Sequence, residues 1–143
     1  MNSWLVFFLF SAPWLFEIKL GGVSLSIREV VIRKVVDRTL ALRILRTVDS
    51  HEGFLFYRAV GDFSGKKATS LRDFAKILRA VKIESVDFHF SRRDFQRWIH
   101  FILGDIDLCI RINRVPKNIR GEKLRSILIK IVEERIGELQ KSK

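Results

Sequence analysis

Apolar residues recur at helical spacing in the middle of the chain, where a stripe of apolar positions follows Ser70. Ser70 and Asp73 stand three residues apart at the start of this stripe. This is the spacing of a capping box, in which both side chains accept hydrogen bonds from free amides at the helix start. The pattern predicts a helix over residues 70–81. Its apolar stripe consists of Leu71, Phe74, Ile77, Leu78 and Val81.

A second apolar stripe lies between Asp94 and Gly104. We interpret the Asp94 carboxylate as a cap for the free amides at the start of this helix, and Gly104 as the left-handed residue that ends it. Asp105 then caps the next helix. We expect Trp98 to be mostly buried between the helix that precedes Ser91 and the carboxy-terminal helix. The stripe comprises Phe95, Trp98, Ile99, Ile102 and Leu103. The predicted solvent face carries Arg92, Arg93, Gln96, Arg97 and His100.

Two further amphipathic segments complete the helical part of the chain. Leu108, Cys109 and Ile112 fall on one face of a short helix, and Cys109 is interpreted there as a small core residue. The longest predicted helix covers about residues 120–140. Its apolar face consists of Leu124, Ile127, Leu128, Ile131, Val132, Ile136 and Leu139.

Strand signals precede these helices. Residues 54–60, FLFYRAV, are aromatic and β-branched, and the glycines of residues 61–69, GDFSGKKAT, supply a turn and a return strand. Together they predict a β-hairpin. Residues 24–46 fit both a helical stripe and a β-branched strand, and we predict a helix there. For residues 84–90, ESVDFHF, periodicity does not decide between strand and helix.

Residues 1–22 form a hydrophobic extension. Its apolar run, residues 4–16, would be about 20 Å long as a helix, whereas a bilayer core is ~30 Å thick, so we expect no membrane span. Pro13 interrupts the run, and the basic start of a signal peptide is missing. Three interpretations stay open: a hydrophobic flap packed on the domain, an interfacial anchor, or translated sequence upstream of a true start near residues 21–23.

Length and cysteine content limit the architecture. A chain of 143 residues suffices for one domain with its own core. We expect residues 47–143 to form this single globular domain and residues 23–46 to form an amphipathic connecting segment. The single cysteine, Cys109, excludes an internal disulfide framework and favours a cytoplasmic location. Few amide and sulfur residues beside abundant Lys, Arg, Ile and Val are typical of a thermophile.

The net charge of +11 is spread along the chain and not clustered. A diffuse positive charge attracts polyanions without sequence preference, but it defines no groove. The charge is therefore interpreted first as a solvated thermophile surface, with nonspecific polyanion binding as the alternative.

A family resemblance is carried by residues 53–112, GFLFYRAVGDFSGKKATSLRDFAKILRAVKIESVDFHFSRRDFQRWIHFILGDIDLCIRI. This run resembles an uncharacterised family of archaeal and bacterial domains of unknown function. The family pattern joins an aromatic strand, a SLxEF helix, a short helix ending in aromatic-His, and the motifs DFxxW and LGxxxLA. The matching residues are Ser70, Leu71, Phe74, Val81, Ser85, Phe88, His89, Asp94, Phe95, Trp98, Leu103, Gly104 and Leu108.

The resemblance covers about residues 47–140 and implies an α-rich domain in which residues 84–90 are helical. It implies no activity, and Cys109 stands where the family usually has a small residue. With the local patterns it predicts an α+β fold that is mostly α. One amino-terminal β-hairpin is followed by about four short helices in a single compact domain.

His89 and Asp94 are the residues with the most chemical potential. On one continuous helix, His100 would stand about 16 Å from His89, too far to share a metal ion. We interpret His89 as a structural histidine that is hydrogen-bonded at a helix end beside Trp98, since an isolated histidine lacks the partner residues that orient a general base. We predict neither a metal nor another cofactor.

Three functions are open, and a noncatalytic interaction or regulatory module with a protein partner is preferred. A nucleic-acid binder is the second interpretation, because the helix over 70–81 and the segment after it imitate a helix-turn-helix. A small enzyme that uses His89 and Asp94 is the third. The candidate partner surface consists of Arg92, Arg93, Arg97 and His100.

Overall fold

The computed structural model describes residues 17–20, 23–26 and 37–142. These residues belong to two compact units that divide between Asp37 and Arg38. The three interpretations of the amino-terminal apolar run concern positions outside the described residues.

The first unit contains an antiparallel pair of short strands, β1 (Glu17–Leu20) and β2 (Val23–Ser26). Glu17 pairs with Ser26, and Leu20 pairs with Val23. The prediction of one helix over 24–46 is therefore wrong for the residues up to Ser26. Serines alternate there with apolar residues, which is the period of a strand.

The second unit contains one β-hairpin and is otherwise mostly helical, which confirms the predicted α+β class. The hairpin consists of β3 (Phe54–Ala59) and β4 (Asp62–Ala68). A helical segment, α1, covers residues 37–44 ahead of it. The helices after the hairpin are α2 (Leu71–Ala80), α3 (Ile83–Ser91), α4 (Asp94–Trp98), α5 (Ile106–Asn113) and α6 (Gly121–Lys141). A 3-10 turn (Ser50–Glu52) precedes β3, and a π-helical turn (Ile99–Leu103) continues α4.

Strand β3 changes its pairing register on both sides of Tyr57. Phe56 pairs with Lys66, whereas Tyr57 pairs with Phe63, so two residues of β4 are skipped. One of them, Gly65, has a φ of 77°, which a residue with a side chain rarely adopts. The hairpin is therefore irregular at the position of Tyr57.

Ser70 caps the start of α2 as predicted, but the return bond of the capping box is shifted by one residue. The Ser70 hydroxyl accepts a hydrogen bond from the Asp73 amide at 3.1 Å. The Asp73 carboxylate reaches back to Thr69, where it accepts from the hydroxyl at 3.0 Å and from the amide at 3.4 Å. These three local bonds explain why the start of this helix is predictable from its sequence.

The chain turns sharply between α3 and α4 at Arg93, whose φ is 60°. We call Arg92 and Arg93 the α3–α4 corner. A left-handed residue ends α3, as glycine does at many helix ends, and the next helix starts in a new direction. Gly104, with a φ of 76°, ends the π-helical turn as predicted. Asp105 caps α5 by accepting from the Leu108 amide at 3.1 Å, which confirms the second cap.

An aromatic cluster forms the centre of the core. The predicted burial of Trp98 is confirmed, since 7% of its surface is exposed, whereas its predicted neighbours differ, because its aromatic contacts lie on β3 and α2. Its indole Nε1 donates to the Glu52 carbonyl at 2.8 Å, and its ring lies against Phe54 and Phe74. The cluster comprises Phe54, Phe56, Phe74, Phe95 and Trp98, with His89 against three of the phenylalanines.

Candidate functional site

His89 lies in the last turn of α3, and 3% of its surface is exposed. Its Nε2 accepts a hydrogen bond from the Tyr57 backbone amide at 2.7 Å. A backbone amide only donates, so Nε2 carries the lone pair. The ring proton of the neutral imidazole therefore sits on Nδ1, which donates to Asp94 Oδ2 at 2.8 Å. Both ring nitrogens are committed to bonds inside the domain.

The fold brings these three residues together from separate elements. Tyr57 comes from the irregular part of β3, His89 from α3, and Asp94 from the first residue of α4. Helix α3 packs along β3, which places the imidazole beside the Tyr57 amide. The imidazole thus ties the hairpin to the α3–α4 corner.

Burial lowers the pKa of His89 below its ordinary value of 6.5, although the hydrogen bond and charge of Asp94 act in the opposite direction. Burial alone would raise the pKa of Asp94, but hydrogen bonds from His89 and Arg97 outweigh burial and hold that pKa below 3.8. At neutral pH the pair therefore consists of a neutral imidazole and a carboxylate.

The interpretation of Asp94 as a helix cap is wrong. Asp94 is the first residue of α4, and the preceding Arg93 occupies the capping position without a side-chain cap bond. The carboxylate instead accepts from His89, from Arg92 at 3.2 Å and from Arg97. The cause is the position of the corner, which starts α4 one residue earlier than a cap at Asp94 requires.

A histidine–carboxylate pair acts as a general base through the nitrogen that faces the substrate. In this domain the carboxylate orients the imidazole, but the second nitrogen, Nε2, holds the Tyr57 amide at 2.7 Å. Within the described residues, no group of three or more His, Cys, Asp or Glu side chains is placed to hold a metal ion. The geometry of His89 and Asp94 therefore fits a structural link.

The candidate partner surface is divided by the α3–α4 corner. Arg92 lies on the side of the hairpin, where it lines a separate pocket with hairpin residues, and its guanidinium is 5.1 Å from the centre of the Phe88 ring. Arg93, Arg97 and His100 line a groove of about 290 Å³ on the other side. We call this the arginine groove; its walls are Arg93, Gln96, Arg97, His100, Phe101, Cys109 and Asn113.

Gln96 was predicted on the solvent face, but it is buried, with 7% of its surface exposed. The cause is the packing of α4 against α5, which covers this side of α4. Cys109, predicted in the core, is half-buried and reaches the groove wall. Burial raises the pKa of its thiol, and the charge of Asp105 adds to this. The thiol is therefore protonated at neutral pH.

Phe101 is the functional candidate that the sequence interpretation missed. Its side chain is 75% exposed at the edge of the arginine groove. The signal was present, because Phe101 falls outside the apolar stripe of its own helix. An exposed phenylalanine beside two arginines and a histidine is typical of an interaction surface.

Helix α3 would be the DNA-recognition helix of the helix-turn-helix interpretation. It packs against both β3 and α6. Glu84 is its exposed acidic residue, and the Asp87 carboxylate accepts from the Gly121 amide at 2.9 Å. The helix-turn-helix interpretation therefore has no support from the position of this helix.

Comparisons with models of protein families, with curated proteins and with solved structures found no match. The family resemblance of residues 47–140 stays a prediction. Among the described residues, no helix combines the length and the apolar character that crossing a bilayer requires.

Proposed function

We propose that residues 38–142 act as a noncatalytic interaction module that binds another protein through the arginine groove. The observation that carries this proposal is that Asp94 bonds a buried residue and a surface residue at the same time. Its Oδ2 accepts a hydrogen bond from His89 in the core, whereas its Oδ1 accepts one from Arg97 at the surface. These bonds hold Arg97 in place at the surface and, together with the Tyr57 amide, engage both nitrogens of the imidazole.

The chemistry of the groove favours a protein partner with acidic side chains. Arginine and aromatic side chains are enriched at protein interfaces, because they combine charge or hydrogen bonding with a large apolar area. Arg97 and Phe101 supply both at the groove. On α5, which contributes Cys109 and Asn113 to the groove, Ile106 and Ile110 are also exposed, one turn apart.

We also propose a cytoplasmic location. The support is chemical: Cys109 is the single cysteine of the chain, and its sulfur is free in the structure. Such cysteine usage is ordinary in a reducing compartment.

Site-specific photo-crosslinking tests the docking surface. A photoreactive phenylalanine analogue replaces Phe101 in the full chain, and the matched control places it at Val60, which is 83% exposed on the hairpin turn. In cells that carry the native gene, the variant at position 101 is expected to capture one defined protein even after nuclease treatment. Equal capture at both positions, or capture of nucleic acid alone, would contradict the proposal.

Nucleic-acid binding is the second candidate, favoured by the two arginines and the histidine that line the arginine groove. Such binding is expected to be weak, to fall steeply with salt and to show no sequence preference. Fluorescence anisotropy with two unrelated duplexes and a single strand measures both properties. Sequence-selective binding that persists at physiological salt would make this candidate the first. An enzyme based on His89 and Asp94 is not proposed, because both imidazole nitrogens are engaged.

A further inference from the structure

A second, smaller cavity lies beside the arginine groove, under the α3–α4 corner. It has a volume of about 140 Å³ and opens between the end of α3, the end of α5 and the loop before α6. Arg93, Gln96 and Asn113 form the wall that it shares with the arginine groove. We call it the corner pocket.

Three cations stand around the corner pocket, and no aspartate or glutamate among the described residues lines it. The side chains of Arg93 and Lys117 have no hydrogen bond or ion pair with a described residue. The Arg120 guanidinium donates to the backbone carbonyls of Lys117 and Ile119, the latter at 2.8 Å. These carbonyls fix the guanidinium in place without neutralising its charge.

The pocket also contains a polar side chain without a partner. Gln96 is more than nine-tenths buried, and its Oε1 has no hydrogen bond within the described part of the chain. A buried acceptor without a donor is unfavourable. The terminal torsion of glutamine is soft, so Oε1 can reorient when a donor enters the pocket. The floor below it is apolar and consists of Phe90, Ile112 and Val115.

We propose that the corner pocket binds a phosphoryl group that carries or adjoins a hydrogen-bond donor. The three cations would bind the phosphoryl oxygens, and Gln96 Oε1 would accept a hydrogen bond from the hydroxyl group. The volume suits a phosphoryl group with few further atoms. Inorganic phosphate and a small hydroxylated phosphate ester share this chemistry. The proposal goes beyond the protein-docking function, because it concerns a small ligand of the isolated chain.

The test is a calorimetric titration of the full chain, at low salt near neutral pH, with inorganic phosphate, glycerol 3-phosphate and sulfate. Phosphate retains an acidic proton under these conditions, whereas sulfate carries none. We expect phosphate to bind at least tenfold more tightly than sulfate, since only phosphate can donate to Gln96 Oε1. Tighter binding of glycerol 3-phosphate would assign the site to an ester, and tighter binding of phosphate would assign it to the free ion.

Two variants and a matched control distinguish binding in the corner pocket from attraction by the overall positive charge of the protein. Lys117→Glu is expected to weaken phosphate binding at least tenfold, whereas Lys66→Glu on β4 makes the same charge change elsewhere and is expected to weaken it less than threefold. Gln96→Leu is expected to remove the preference for phosphate over sulfate. Circular dichroism checks that each variant is folded.

Three results would overturn the proposal: no measurable phosphate binding, equal binding of sulfate and phosphate to the unaltered chain, or an equal loss in Lys66→Glu and Lys117→Glu. The Lys117 variant and the comparison of the two anions decide the question even where Gln96→Leu does not fold. None of these readouts depends on a protein partner.

Discussion

The backbone amide of Tyr57 donates to Nε2 of His89 across 2.7 Å, and this bond joins the hairpin to the end of α3. It engages the imidazole nitrogen that a general base would need, while Asp94 engages the other. A pair that resembles a catalytic dyad in composition thus works as a structural link. The same carboxylate positions Arg97 on the outer surface.

Replacement of His89 should cost far more stability than replacement of an exposed histidine. In His89→Ala, the Tyr57 amide and the Asp94 carboxylate lose a buried partner, and a cavity opens in the aromatic cluster. The free energy of unfolding is expected to fall by about 3 to 5 kcal/mol. Urea denaturation measures the loss, with His51→Ala in the exposed 3-10 turn as the control. A loss below about 1 kcal/mol would mean that these bonds contribute little.

Stability should decline in mild acid because of His89. Its pKa is lowered in the folded state, so the unfolded chain binds the proton more readily. The stabilisation by the neutral imidazole of His89 is complete above pH 6.5, the ordinary pKa of histidine. It is lost as the pH falls through the lower pKa that His89 has in the folded state. Urea denaturation between about pH 7 and pH 5 should therefore show a slope that His89→Gln reduces. An unchanged slope in that variant would assign the acid sensitivity to other groups.

Asp94 variants separate a helix cap from a partner of His89. A cap is retained by serine, which accepts from a nearby amide, whereas serine is too short to replace the bond to His89. We expect Asp94→Ser and Asp94→Ala each to lose about 2 to 3 kcal/mol, because the His89 Nδ1 proton is left unpaired in the core. Asp94→Asn keeps an acceptor and should lose about 1 kcal/mol. Thermal and urea unfolding of the three variants measure this order, and near-normal stability of Asp94→Ser would restore the cap interpretation.

The buried ion pair between Asp105 and Arg135 should be a second point of high sensitivity. Asp105 is 1% exposed and accepts from the Arg135 guanidinium at 2.9 Å and 3.0 Å while it caps α5. Asp105→Ala removes the cap and leaves Arg135 without its buried partner, so a loss of about 3 to 5 kcal/mol is expected. The neighbouring Asp107 pairs with the same arginine at the surface, and Asp107→Ala should lose less than about 1 kcal/mol. Similar losses in both variants would contradict this distinction.

The helices were predictable because their signals are local. Ser70 and Asp73 define the start of α2 within four residues, and Gly104 followed by Asp105 defines a stop and a new start. A cap or a left-handed glycine acts over a few residues of chain. The predicted start of α2, the stop at Gly104 and the start of α5 therefore agree with the structure.

The site was less predictable because it depends on contacts between distant residues. Tyr57 and His89 are 32 positions apart, and their bond requires both the register shift in β3 and the packing of α3. The error at Asp94 came from the positive φ of Arg93, an unusual conformation for arginine that no local pattern indicates. The error at Gln96 came from the packing of α5, which the apolar stripe of its own helix does not record.

The claim that His89 is a structural link is tested most directly by nitrogen NMR of its imidazole in the full chain at neutral pH. The structure predicts a proton on Nδ1, an unprotonated Nε2, and a scalar coupling across the hydrogen bond from the Tyr57 amide to Nε2. A proton on Nε2, or an Nε2 without coupling to that amide, would leave a nitrogen free for chemistry and would contradict the noncatalytic interpretation.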